Sequence, residues 1–164
     1  MCIRDRDNAA TTALSPAAIQ AMTKTMTVFG NPSSTHSHGR EASKLLRQAR
    51  EDIAQALHTQ SNKILFTSGG TESNNTAIKG YALRHQNRGK HIVTTAIEHH
   101  AVLEVVEYLV DKFGFEATFV QPVDGQIRAA DIKKALRPDT ILVSVMAVNN
   151  ETGAMLPIKE IGEL

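Results

Sequence analysis

Short apolar runs alternate along the chain with longer stretches in which apolar residues recur every three or four positions. Ile64-Leu65-Phe66-Thr67, His91-Ile92-Val93-Thr94-Thr95, the run from Glu116 to Val120, and Ile141-Leu142-Val143-Ser144-Val145-Met146 read as strands. The last is the most apolar, the kind buried on both faces. Helices are expected between and before them. Ser15-Pro16 starts one, with the hydroxyl as cap and proline at the first helical position, and places Ile19, Met22 and Met26 on one face. A second runs from Arg40 to Leu57 with Leu45, Leu46, Ala49, Ile53 and Leu57 facing inward. A third, from Glu72 to near Gly89, buries Ala77, Ile78, Tyr81 and Ala82. Glu98-His99-His100 opens a fourth, whose core face is Val102, Leu103, Val106, Leu109 and Val110. A short helix from about Ala130 stops at Leu136, ahead of Pro138, and another begins near Ile158. Strands separated by helices need crossovers, so the class is α/β with a mainly parallel sheet flanked by helices.

The chain is organised around the stretch from Ile64 to Asn75, a strand, a glycine-pair turn and the first turn of a helix. Thr71 or Ser68 can cap that helix, and Glu72 suits its positive end. Free N–H groups there favour a phosphate, and Gly69-Gly70 lets a ligand approach the backbone. The same glycines would also serve an ordinary βα turn. In an open α/β sheet, ligands bind beyond the carboxyl ends of the strands. Ser68-Gly69-Gly70-Thr71, Glu98-His99-His100 and Asn149-Asn150-Glu151 all fall at such ends, which supports one pocket with an anion cradle, a histidine and an asparagine. Taken singly, His99 could merely cap a helix and Asn150 could close a turn with its own backbone.

Composition narrows the classes. The chain has 164 residues, a formal net charge of +1 and mixed charges throughout, which excludes a basic nucleic-acid stripe. No apolar run approaches a membrane span, and a single cysteine, Cys2, excludes an internal disulfide, so a cytoplasmic protein is expected. His36, His38, His99 and His100 lack the cysteine partners or helical spacing of a metal site, so no metal is expected. No lysine follows the glycines as a nucleotide-phosphate loop requires. Residues 1–6 are charged and aperiodic and are expected to lie outside the fold; 7–164 form one partial domain. The polar loop from Phe29 to Gly39 is long enough to be functional.

Asp-Asn-Ala-Ala-Thr-Thr (7–12), Gly-Asn-Pro-Ser-Ser (30–34), Phe-Thr-Ser-Gly-Gly-Thr-Glu-Ser (66–73), Ile-Glu-His-His-Ala-Val (97–102) and Val-Asn-Asn-Glu-Thr-Gly (148–153) carry a resemblance. In one register from Asp7 to Leu164 the chain resembles the cysteine desulfurases of the NifS/IscS type. These are class V aminotransferases, pyridoxal-phosphate (PLP) enzymes of fold type I. The resemblance implies that Gly70 and Thr71 hold the phosphate of pyridoxal 5'-phosphate. It implies that His99 stacks on the pyridine ring as a catalytic residue, and that Asn150 sits near the ring hydroxyl and the substrate.

The family takes sulfur from L-cysteine, leaves it as a persulfide on an enzyme cysteine, and releases alanine. That sulfur goes to iron–sulfur cluster assembly or thiolation of RNA bases, through an acceptor or scaffold protein. A homodimer is implied, with the Asn31–His38 loop facing the partner subunit. Other class V enzymes (a selenocysteine lyase or a transaminase), or a non-catalytic partner with the same fold, are the alternatives.

The resemblance has departures. No lysine here follows a Ser-X-His, and Cys2 lies in the leader. The family's cofactor-binding lysine, pyridinium-pairing aspartate, sulfur-accepting cysteine and carboxylate-binding arginine are expected beyond Leu164. The chain is thus expected to be an N-terminal portion, inactive alone. Its strand at Ile64–Thr67 should lack its usual neighbours while the other three still pair, leaving a gap or an exposed edge.

Overall fold

The computed structural model describes residues 11–164. The charged leader and the beginning of the Asp7–Thr12 motif lie outside the described residues. Two compact units divide at Phe66 and Thr67.

The first unit is helical. Ser15 accepts the Ala18 N–H (3.2 Å) and Pro16 opens α1, Pro16–Met26, because a proline at that position gives up no helical hydrogen bond. Helix α2 spans Ser37–Ala56, and His36 caps it by accepting the Gly39 N–H at Nδ1. The loop between them closes on itself. A Cβ on Gly39 would stand 2.3 Å from the Ser34 carbonyl oxygen, and Asn31 accepts the Ser33 N–H through its side chain. Only Gly39 and Ala54 of α2 are buried, so Leu45, Ile53 and Leu57 do not face a core as expected, nor do Ile19, Met22 and Met26 of α1. Within this unit Ala21, Val28, Leu45, Leu46 and Ala49 instead line an open groove of about 530 Å³.

A short 3-10 turn, Ser61–Lys63, leads into Ile64–Phe66. The expected strand at Ile64–Thr67 does not form. Its backbone has no ladder partner among the described residues, and a strand without a neighbour makes no hydrogen bonds of its own. Leu65 is 68% exposed, and the Arg50 guanidinium lies 5.1 Å from the Phe66 ring centroid.

The second unit runs α3 (Gly70–His85), β1 (His91–Thr95), α4 (His100–Phe113), β2 (Glu116–Val120), α5 (Ala129–Ala135), β3 (Thr140–Ser144) and α6 (Ile158–Gly162). Its three strands make one parallel sheet in the order β2-β1-β3. The fold class is α/β, as the alternation of periods requires. Side chains alternate across β1. Ile92 packs with Ile78 and Ala82 of α3 and Val102, Val105, Val106 and Leu109 of α4 on one face. Val93 packs with Val120, Ile127 and Ile132 of α5 and Leu156 on the other, with Ile161 of α6 at the margin.

Every residue of β1 is buried, so the strand enclosed on both faces is His91–Thr95 and not the more apolar β3. Among the described strands β3 is an edge, and its Val143 is exposed. Ala77 and Tyr81, expected in the core, are exposed, and Tyr81 stacks on His85 at 4.2 Å. Asp124 and Gly125 take positive φ (52° and 74°) between Val123 and Gln126, which exchange both backbone hydrogen bonds. That tight turn starts the return from β2.

Candidate functional site

The Ser68–Thr71 turn is built from local bonds. Gly69 is the N-cap of α3 and offers no side chain. Neither Ser68 nor Thr71 caps the helix as expected, because Glu72 turns back and takes both the Ser68 N–H and the Ser68 hydroxyl on Oε2, at 2.6 Å each. The Ser68 hydroxyl, and next its N–H, hold the Glu72 carboxyl below the usual carboxylate range. Thr67 and Ser73 join hydroxyls across the turn at 2.6 Å. Helix geometry leaves the Gly70, Thr71 and Glu72 N–H groups without intrahelical acceptors. Helices α1, α2 and α4 each have a side chain over this end, whereas α3 has none. A Cβ on Gly69 or Gly70 would meet nothing within 4 Å among the described residues, so none of those residues packs against the glycine pair. Neither glycine takes the left-handed backbone.

His99 is the N-cap of α4, directly beyond the carboxyl end of β1. Its Nδ1 accepts the Ala101 N–H at 3.0 Å. In the neutral ring this places the proton on Nε2, on a residue that is exposed.

Asn150 occupies the exposed tip of a small hairpin beyond the carboxyl end of β3, closed by the bridge between Val148 and Met155. Its side chain makes no hydrogen bond among the described residues. The asparagine that closes the turn is Asn149, whose Oδ1 accepts the Glu151 and Thr152 N–H groups (3.0 and 2.9 Å) and the Thr152 hydroxyl.

Two buried side chains join these turns. Glu98 accepts the Thr95 hydroxyl (2.9 Å) and the Met146 N–H (2.7 Å) on the same oxygen, Oε1. Asn149 donates from Nδ2 to the Ile97 carbonyl oxygen at 2.9 Å. Burial pushes the Glu98 carboxyl up, and the Met146 N–H and Thr95 hydroxyl pull it part of the way back.

His99 and Asn150 therefore stand beyond the carboxyl ends of neighbouring parallel strands, on segments that are hydrogen-bonded to each other. The side-chain hydrogen bonds of the Ser68–Thr71 turn are local among the described residues. Sequence reasoning named Glu98 and Asn149 only as members of polar clusters and missed their part. The one signal available was a polar residue directly beside each candidate, with nothing to say which of each pair turns inward.

A parallel sheet between helix layers makes the second unit an α/β fold, a class in which ligands generally bind at the strand ends. The family model described as Aminotransferase class-V matches residues 6–164. The chain belongs to that family. It is 51% identical over 161 residues to "Cysteine desulfurase IscS" of Dictyoglomus turgidum, a match covering 96% of this chain and 40% of that protein. Against the protein of the same name from Methanosarcina thermophila it is 48% identical, covering 96% and 39%.

Among solved structures it superposes on "NIFS-LIKE PROTEIN" with a TM-score of 0.88 and 39% identity, covering 96% of this chain and 43% of that one. It also matches "SspA in complex with cysteine" with a TM-score of 0.85 and 38% identity, covering 94% and 45%. The chain spans about two-fifths of the length of these curated relatives. No helix among the described residues is long and apolar enough to cross a membrane.

Proposed function

We propose that the chain supplies the phosphate-facing and ring-facing part of a PLP-dependent cysteine desulfurase. The observation that carries this reading is the joined pair of turns: at one end of the sheet His99 Nε2 and the Asn150 amide have no hydrogen-bond partner among the described residues. The residues present fit the cofactor. Gly70 and Thr71 hold the phosphate with first-turn N–H groups and the Thr71 hydroxyl, over glycines with open space above them. His99 covers one face of the ring, and the fixed Nδ1 contact sets the orientation of its imidazole. Asn150 offers an amide to the ring hydroxyl and the substrate amino acid. Bound PLP supplies the electron sink that makes C–S cleavage of L-cysteine accessible. The protein's own part is to bind and orient.

The activity is that of a longer protein, consistent with the relatives' length, and works as a homodimer in the cytoplasm. Its sulfur passes by way of an enzyme persulfide to an iron–sulfur scaffold or to tRNA thiolation. These 164 residues hold one cysteine, Cys2, and no Ser-X-His-Lys segment, so by themselves they turn nothing over. The test is alanine release from L-cysteine by the intact protein carrying these residues, with PLP bound. Thr71→Ala removes a hydrogen bond to a charged group, worth about 1.5–3 kcal/mol, and should weaken PLP binding at least tenfold. Alanine release without PLP, or a Thr71→Ala protein that binds PLP as wild type does, would remove the reading.

A further inference from the structure

We propose that Glu98 and Asn149 are positioning residues, a reciprocal pair of ties that fixes His99 and Asn150 at one separation across the strand ends. Each residue next to a candidate ligand group reaches into the other turn. Glu98, beside His99, binds the Met146 N–H 48 positions away at 2.7 Å. Asn149, beside Asn150, binds the Ile97 carbonyl oxygen 52 positions away at 2.9 Å. Both side chains belong to residues only 8% exposed, whereas His99 and Asn150 are exposed. Backbone ladder bonds between β1 and β3 end at Thr94 and Ser144, so beyond that point these side chains do the joining. The Thr94 hydroxyl prepares the junction by donating to the Ser144 carbonyl oxygen at 2.9 Å.

The ties differ in what they require chemically. Glu98 uses one oxygen for both of its donors, so an amide carbonyl at that place satisfies them equally well and no negative charge is needed. Asn149 uses both ends of its amide. Its oxygen shapes its own turn and its nitrogen crosses to Ile97, so a carboxylate there keeps the turn and breaks the crossing.

This inference rests on the reading that His99 and Asn150 face PLP, and the experiment separates the two. In the intact protein, PLP dissociation constants, the circular dichroism of the bound-cofactor band, and kcat and KM for L-cysteine are measured for Glu98→Ala, Glu98→Gln, Asn149→Asp, His99→Ala, Asn150→Ala and Glu98→Ala/His99→Ala. Misplacing a group near the chemistry by about 1 Å costs up to about 100-fold in kcat. Glu98→Ala and Asn149→Asp should therefore lose about 10- to 100-fold in kcat, with a weakened cofactor band and KM changed less than about threefold. Glu98→Gln should behave as wild type. The double variant should lose less than the product of the two single losses, because part of the effect of Glu98 acts through His99.

Should Glu98→Ala not fold, Glu98→Asp, one methylene too short to span both donors, carries the same comparison. Equal losses for Glu98→Gln and Glu98→Ala, or additive losses in the double variant, overturn the inference while leaving the PLP reading in place. His99→Ala and Asn150→Ala proteins that bind PLP as wild type does overturn the reading and the inference with it.

Discussion

Replacing His91 tests how the sheet itself is held. This histidine opens the central strand, is fully enclosed, and bridges its two neighbours: Nδ1 lies 2.7 Å from the Thr140 hydroxyl of β3 and Nε2 lies 2.9 Å from the Thr118 hydroxyl of β2. Thr140 Oγ1 already accepts the Arg137 N–H (2.8 Å), which leaves its own proton for Nδ1. The neutral ring then donates from Nε2 to Thr118. Burial lowers the His91 pKa, helped by the Arg137 guanidinium and opposed by Asp139 and Glu116.

His91→Leu keeps the bulk and removes both hydrogen bonds, at about 1 kcal/mol each, so it should cost about 2 kcal/mol near pH 8. The pH dependence is the sharper readout. Because the folded pKa lies below the unfolded value, the unfolded chain gains a proton first as pH falls. Wild type then loses stability from about pH 7 downward, with a slope of at most about 1.4 kcal/mol per pH unit, until the folded ring titrates. Urea unfolding at pH 8, 7, 6 and 5 should show the gap between wild type and His91→Leu narrowing through this window. A gap constant with pH, or a His91 imidazole titrating at its ordinary value in nuclear magnetic resonance spectra, would refute the reasoning.

Other perturbations have equally definite outcomes. Gly69→Ala adds a methyl where no atom of the described residues lies within 4 Å, so stability should change by less than about 0.5 kcal/mol while PLP affinity falls about tenfold. Leu109→Ala empties a fully enclosed position between α3, α4 and β1 and should lower unfolding free energy by about 2–5 kcal/mol in urea titrations. Glu98, whose carboxyl burial holds above the ordinary range, keeps its proton in the folded state longer than in the unfolded one. Its contribution is therefore fullest below the ordinary carboxylate value and is lost as pH rises through the folded pKa. Glu98→Gln should remove that component, measured as the difference in urea midpoints with and without the carboxyl over the same pH range.

Much of the second unit was legible because its elements carry strong local signals. Strands β1 and β2 match the runs expected of them, and His99 stands where helix α4 starts. Helix α3 starts at Gly70, earlier than expected, because a glycine N-cap leaves no side-chain signal. Partnership could not be read from the residues alone. The resemblance implied that Ile64–Thr67 would lack its neighbours while the other three strands pair, and those three do pair; strand composition without a neighbour to bond gives no strand. Likewise the apolar stripes of α1 and α2 say which face seeks cover and nothing about what covers it. Hydrophobicity also misranked the sheet. Threonines and a histidine fill enclosed places in β1 because their polar atoms find partners across the strands, as Thr94 does with Ser144 and His91 with Thr118 and Thr140. Of the three polar turns expected at strand ends, two lie beyond β1 and β3, while the Ser68–Thr71 turn follows no strand among the described residues. The inward-facing member of each pair was not legible, since Glu98 and His99, or Asn149 and Asn150, are equally polar in sequence and differ only in which one the strand pairing turns toward its neighbour.

A crystal structure of the intact protein with PLP bound tests the central claim most directly. The account predicts the cofactor phosphate at about 2.7–3.1 Å from the Gly70 or Thr71 N–H groups, with the His99 ring over the pyridine and the Asn150 amide within hydrogen-bond reach of the ring hydroxyl. PLP bound elsewhere, or bound with His99 and Asn150 turned to different surfaces, would contradict it.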